Sequence, residues 1–163
     1  MYLKQLEQIE HFVFDVDGVF TDGTLLVTES GEQLRSMNIR DGYAVKKAVQ
    51  SGLHIVIITG GRSEGVRKRF EGLEVKDIFL GVQDKVSVLQ DLAKKGQIDL
   101  QTTAYMGDDM PDLDVIQKAA FKACPADAIP EIQQVSDYVS PINGGEGCVR
   151  DLLEKALKLR GLW

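Results

Sequence analysis

Long apolar runs are missing from this chain, and the longest, Ile55 to Ile58, is far too short to cross a bilayer. No membrane-spanning role is expected. Glu7 and Glu10 stand where a secretory leader would need a basic start running into an apolar stretch, so the first residues do not read as a signal peptide. Cysteine is nearly absent as well. Cys124 and Cys148 lie 24 residues apart with no CxxC spacing, which points to two reduced, buried thiols. Positive charge is in deficit, with a formal net charge of −6. A nucleic-acid partner is not expected, because phosphate neutralisation requires a basic surface. No Pro, Gly or Ser stretch marks a linker and no repeat is visible. With 163 residues, 44% of them apolar, the chain is expected to form one domain over residues 1–163 with a real core, in the cytoplasm.

What the chain does have is alternation. His11 to Phe14, Ile55 to Ile58 and Thr103 to Met106 are short, rich in β-branched or aromatic residues and bounded by Asp, Gly or Thr, as strands buried on both faces are. Between and after them lie helical patterns over Tyr43 to Gln50, Ser63 to Leu73, Lys85 to Lys94 and Val149 to Arg160. Shorter strands are expected near Ile78 to Leu80, Phe121 to Ala123 and Tyr138 to Val139. The reading is an α/β fold, a Rossmann-like three-layer sandwich around a parallel sheet with right-handed crossovers. One segment interrupts it: Thr24 to Val27 and Gln33 to Met37 flank Glu29-Ser30-Gly31 and read as an inserted β-hairpin flap.

Two acidic clusters follow two of these strands. Asp15 and Asp17 sit in Phe14-Asp15-Val16-Asp17-Gly18, and Asp108 and Asp109 in Met106-Gly107-Asp108-Asp109-Met110. Ligands of open α/β sheets bind beyond the carboxyl ends of the strands, where strand order reverses. Carboxylates converging there attract a hard cation. Magnesium takes near-octahedral oxygen ligation, and Asp15, Asp108 and the backbone carbonyl of Asp17 would supply it. The alternatives are a plain Asp-Gly surface turn and a calcium loop; the latter fails because Val19 stands where another oxygen ligand is needed. Thr59-Gly60-Gly61 lacks the dinucleotide pattern G-x-G-x-x-G, but a hydroxyl and free N–H groups at a strand end suit a phosphate oxygen. Lys85 opens a helix, where a cation is electrostatically disfavoured, so an anion nearby would explain it. Arg62 and Arg69, seven apart, are expected on one face of the helix after Thr59. His11 and His54 begin strands and are given no catalytic role.

The ordered set Asp15-x-Asp17-Gly18, Thr59-Gly60, Lys85 and Gly107-Asp108-Asp109-x-x-Asp112 resembles the four motifs of the haloacid dehalogenase superfamily of phosphotransferases. Phe14 to Gly23, Asn38-Ile39-Arg40-Asp41-Gly42-Tyr43 and Gly144-Gly145-Glu146-Gly147 with Arg150 are similar to its capless branch, which includes phosphatases of 3-deoxy-D-manno-octulosonate (KDO) 8-phosphate. The short spacings around Gly18, Asp41, Lys85 and Asp108 likewise leave no room for a cap domain. The resemblance implies a magnesium-dependent phosphatase and a homotetramer whose sites lie at subunit boundaries. It implies Asp15 as nucleophile, Asp17 as general acid and base, and Thr59, Gly60 and Lys85 as holders of the phosphoryl group. Asn38, Ile39, Arg40, Asp41, Gly42, Lys46 and Arg69 match substrate-contacting positions. Gly61 departs from the pattern, since relatives often carry Arg there, or Glu in the branch acting on nine-carbon acids; a 2-keto-3-deoxy nonulosonate 9-phosphate is thus the alternative substrate. A phospho-receiver domain uses a similar residue set, but in it the acidic pair comes before the phosphoacceptor strand.

Overall fold

The computed structural model describes residues 2–163. Six strands form one parallel sheet: β1 (His11–Phe14), β4 (His54–Ile58), β5 (Asp77–Phe79), β6 (Thr103–Met106), β7 (Phe121–Cys124) and β8 (Tyr138–Val139). Their order is β5-β4-β1-β6-β7-β8, so the chain builds outward from β1 on one side and then returns to lay β6 on the other. Strand order therefore reverses between β1 and β6. The register aligns Phe14 with both Ile57 and Met106, which brings the residues after these strands to one edge of the sheet.

Alternation along the strands feeds two cores. Phe12, Phe14, Ile55, Ile57, Ala104 and Met106 point to one face, against α1 (Tyr2–Leu6), α2 (Ile39–Gln50), α3 (Glu64–Gly72) and α7 (Cys148–Leu159). Val13, Val56, Ile58 and Tyr105 point to the other, where α4 (Lys85–Lys94), α5 (Leu113–Ile116) and α6 (Pro130–Val135) cover them. The three-layer sandwich is as the sequence predicts, with no cap domain. The expected hairpin is present as β2 (Leu26–Val27) paired antiparallel with β3 (Gln33–Leu34). Both cysteines are free and buried.

Two expectations need correction. Helix α2 starts at Ile39 rather than Tyr43, because the Asn38 side chain accepts the Arg40 N–H at 2.7 Å and caps it. Arg62 is not on the helix it was expected to share with Arg69: Ser63 caps α3, leaving Arg62 in the preceding turn, folded against Gly81.

Asp41 is placed unexpectedly too. Its carboxylate is buried, with Oδ1 accepting the Arg150 N–H at 2.7 Å in the first turn of α7. Gly147, at the N-cap of α7, has no side chain to do this, so α2 caps α7 from outside. Burial pushes the Asp41 carboxyl up to about 6, against the pull of Arg150. Asp41→Ala is expected to lower stability by about 0.5–2 kcal/mol, the usual cost of a lost cap. Urea unfolding would read it, and an unchanged midpoint would refute the tie between α2 and α7.

Candidate active site

Backbone hydrogen bonds carry the sheet past its last strand residues: Asp15 N–H donates to Met106 O at 3.0 Å, and Thr59 N–H to Phe79 O at 3.0 Å. Asp15, Thr59 and Asp108 are thereby held at the carboxyl edge where strand order reverses. They line a cavity of about 390 Å³ with Asp17, Gly60, Gln83, Lys85, Asp109 and Pro111.

Lys85 organises the floor. Asp84 caps α4, accepting the Ser87 N–H at 3.0 Å, and the Lys85 side chain turns inward. Its Nζ lies 3.0 Å from Asp15 Oδ1 and 2.8 Å from Asp112 Oδ1. Burial works to discharge this ammonium, but the two carboxylates outweigh it and its pKa rises. Asp112 is fully buried and fully used: Oδ1 also accepts the Tyr105 hydroxyl at 2.7 Å, and Oδ2 accepts the Asp108 N–H at 3.1 Å. Burial, followed by the Asp112 charge, pushes the Tyr105 phenol far above its ordinary range, so it stays a neutral donor.

Asp108 completes the cluster. One ligand oxygen from each of Asp15, Asp108 and Asp112 can be chosen so that all lie within 4.8 Å of one another. Asp108 Oδ1 is buried without a hydrogen-bond partner. Gly18, at φ +85, permits this packing: a Cβ there would come 2.0 Å from Asp108 Oδ2. Burial first, and then Asp112, push Asp15 up to about 7, even against the pull of Lys85. Burial, then Asp15, Asp112 and Asp109, push Asp108 up to about 8. An orphaned carboxylate oxygen beside crowded anions, with oxygen as the only donor type, fits a hard divalent cation. Asp15 and Asp108 would hold magnesium, while Asp112, saturated by Lys85, Tyr105 and Asp108, braces them. The Asp17 carboxylate stands outside this group, so any metal contact from Asp17 would come through its backbone.

The expected substrate-contacting residues are dispersed. Ile39, Gly42, Lys46 and Arg69 line a second cavity of about 420 Å³, where the Arg69 guanidinium lies against Gly42. Arg40 borders a third, of about 530 Å³, with Arg150 and Lys158. In that cavity Arg150 and Lys158 share the single carboxylate of Glu154, and Lys155 pairs with Asp151. Asn38 and Asp41 are occupied as helix caps. The structure thus gathers the residues expected to be catalytic and metal-binding at one cavity, but not those expected to contact the sugar.

Two site residues had no assigned role at the level of sequence. Tyr105 is hidden inside a strand that reads as plain core. Arg35, from the flap, grips Asp17 through Nε to Oδ1 at 2.6 Å and Nη2 to Oδ2 at 3.0 Å.

Raised carboxyl pKa values have a definite sign. Native Asp15 and Asp108 keep protons that the unfolded chain releases near pH 4, so their contribution to stability is complete at low pH and is lost as pH climbs toward 7 and 8. Metal-free protein should lose thermal stability between about pH 5 and 8, and magnesium should restore more of it at pH 8 than at pH 6. Asp108→Asn should flatten the decline and abolish the magnesium shift. A magnesium shift independent of pH would contradict this assignment.

Comparison with known proteins agrees with the geometry. Residues 77–152 match the family model of haloacid dehalogenase-like hydrolases. The 3-deoxy-D-manno-octulosonate 8-phosphate phosphatase of Escherichia coli K12 is 35% identical over 159 residues, covering 98% of this chain and 85% of that protein. A crystal structure of the same phosphatase from Yersinia pestis superposes with a TM-score of 0.94 at 31% identity, covering 98% of this chain and 86% of that one. The Moraxella catarrhalis enzyme, in complex with a magnesium ion, phosphate and KDO, gives 0.92 at 34% identity, with 96% and 90% covered. A buried lysine between two aspartates, a third carboxylate with a free oxygen and a capless parallel sheet thus coincide with whole-chain similarity, and the chain belongs to the haloacid dehalogenase-like hydrolases, in their capless phosphatase branch.

Proposed function

We propose that this chain, as one phosphatase domain, hydrolyses KDO 8-phosphate to KDO and inorganic phosphate, a step toward lipopolysaccharide precursors. The observation that carries the chemistry is the Asp15-Lys85-Asp112 arrangement. Lys85 holds Asp15 by one oxygen at 3.0 Å, leaving the other available to attack phosphorus. Attack forms an aspartyl-phosphate on Asp15 and breaks the bond to the sugar oxygen. Asp17, two residues on at the cavity wall, gives that oxygen a proton and then takes one from the water that releases phosphate. Thr59, Gly60 and Lys85 line the same cavity and would hold the phosphoryl oxygens. Bound magnesium would neutralise charge on the transferring group and bring it to Asp15.

The reading extends to assembly. Leu26, Val27 and Leu34 on the hairpin are 68%, 61% and 48% exposed, and Ile39 and Tyr43 beside the second cavity are 81% and 59% exposed. Large apolar side chains left in water on a flap favour packing against further copies. A cytoplasmic homotetramer would then bring Ile39, Gly42, Lys46 and Arg69 of one subunit to the site of its neighbour, where Arg69 pairs with the sugar carboxylate. This supplies what the isolated subunit lacks, a cover for the sugar. The homologous nine-carbon 9-phosphate is the alternative substrate, because Gly61 leaves the position after Thr59-Gly60 without a side chain.

Phosphate release over a panel of sugar-acid phosphates tests the substrate. KDO 8-phosphate is expected to give the highest kcat/KM, and Asp15→Asn to lower it by at least ~10³-fold with the fold intact. A preference for the 9-phosphate would move the assignment to the longer acid. Near-wild-type activity of Asp15→Asn would defeat the mechanism, and a fully active monomer at assay concentration would defeat the shared site.

A further inference from the structure

Asp17 must present its carboxyl group in a fixed direction to serve a leaving oxygen, yet its side chain is 37% exposed and stands at a cavity wall. Among the described residues, Arg35 alone makes side-chain hydrogen bonds to it, holding both oxygens from β3 of the flap. Arg35 is itself well fixed. Its side chain is only 6% exposed and Nη1 donates to Gln33 O at 3.1 Å. The pair with Asp17 raises the Arg35 pKa further, so the guanidinium stays charged.

The same bonds hold the flap. Hydrogen bonds of Thr28, Ser30 and Glu32 stay within the hairpin, and Thr24 reaches only Asp22 at its base. The strand residues β2 and β3 are exposed, and a hairpin this short has little stability of its own. Among the described residues, apart from the local contact of Thr24 with Asp22 at its base, Arg35 makes the only side-chain hydrogen bonds between the hairpin and the rest of the chain.

Room for the clamp comes from Gly61. A Cβ there would lie 2.8 Å from Arg35 Nη2 and 3.4 Å from Asp17 Oδ2. The guanidinium, as the far end of a flexible side chain, is the part that would yield.

We propose that Arg35 is a positioning residue that docks the flap and fixes the Asp17 carboxylate in one act, and that Gly61 is the residue this clamp requires. The inference rests on the phosphatase reading for its kinetic consequence but not for its structural one. A planar fork on a carboxylate sets the plane of both groups, and Asp17 can carry the proton it gives to the sugar oxygen once one of its oxygens leaves the fork while the other stays bonded to Arg35. A displaced flap would therefore leave Asp17 misdirected, and an undocked Asp17 would free the flap.

The test compares Arg35→Ala, Arg35→Lys and Gly61→Ala with wild type by two readouts. The first is kcat/KM on the best primary sugar phosphate and on p-nitrophenyl phosphate, whose leaving group departs without a proton. Arg35→Ala and Gly61→Ala should lose at least ~10-fold on the sugar phosphate and much less on the aryl phosphate, because misplaced general acid catalysis matters only for the alkoxide. Arg35→Lys, which keeps the charge without the fork, should fall between. The second readout is amide hydrogen exchange over residues 24–37, which should quicken in Arg35→Ala and Gly61→Ala. Equal losses on both substrates, or a Gly61→Ala variant matching wild type in both readouts, would overturn the clamp. If wild type turns over neither substrate, the phosphatase reading falls, and the clamp then stands or falls by the exchange: quickened in Arg35→Ala supports it, unchanged refutes it.

Discussion

A single buried ammonium holds this site together. Lys85 is 6% exposed and lies within 3.0 Å of a carboxylate oxygen on each of Asp15 and Asp112. Removing one member of such a buried pair typically costs about 3–5 kcal/mol, because the partner is left charged and unsolvated. Charge here is nonetheless incompletely balanced. One cation faces the carboxylates of Asp15, Asp108 and Asp112, and burial holds protons on two of them, Asp15 and Asp108, well above the usual carboxylate range. The residual demand for positive charge is what a divalent metal can meet, so a cluster that is costly as a fold element is useful as a receptor.

The sheet makes this concentration of charge possible. Strands β1 and β6 are adjacent and in register, so Asp15 and Asp108 leave the sheet side by side at the point where helices diverge to opposite faces. Tyr105 and Asp112 then tie the floor to the second core, with the tyrosine ring packed among apolar side chains and its hydroxyl on Asp112. Small residues do the rest of the fitting, Gly18 against Asp108 and Gly61 beneath Arg35.

Much of this was legible in the sequence because the signals were local. Alternating apolar runs gave the strands, and Lys85 at a helix start marked itself by being out of place electrostatically. Short elements escaped: α1, α5 and α6 are too brief for a helical period to show, and they are stabilised by tertiary packing. A spacing of seven suggests a shared helical face for Arg62 and Arg69, but Ser63 caps the helix and Arg62 precedes it. Asp41 and Arg35 were not legible in their observed roles. One caps a helix 109 positions away and the other clamps a carboxylate 18 positions back, and neither contact leaves a local pattern.

The central claim is that the carboxylate gripped by Lys85 is the one that bonds to phosphorus. Rapid quenching during turnover, followed by borohydride reduction, converts an aspartyl-phosphate to homoserine, which peptide mass spectrometry can locate. The result expected is homoserine at position 15 and at no other aspartate. Reduction at Asp17, Asp108 or Asp112 instead, or inversion of configuration at phosphorus with no trapped residue, would contradict the account.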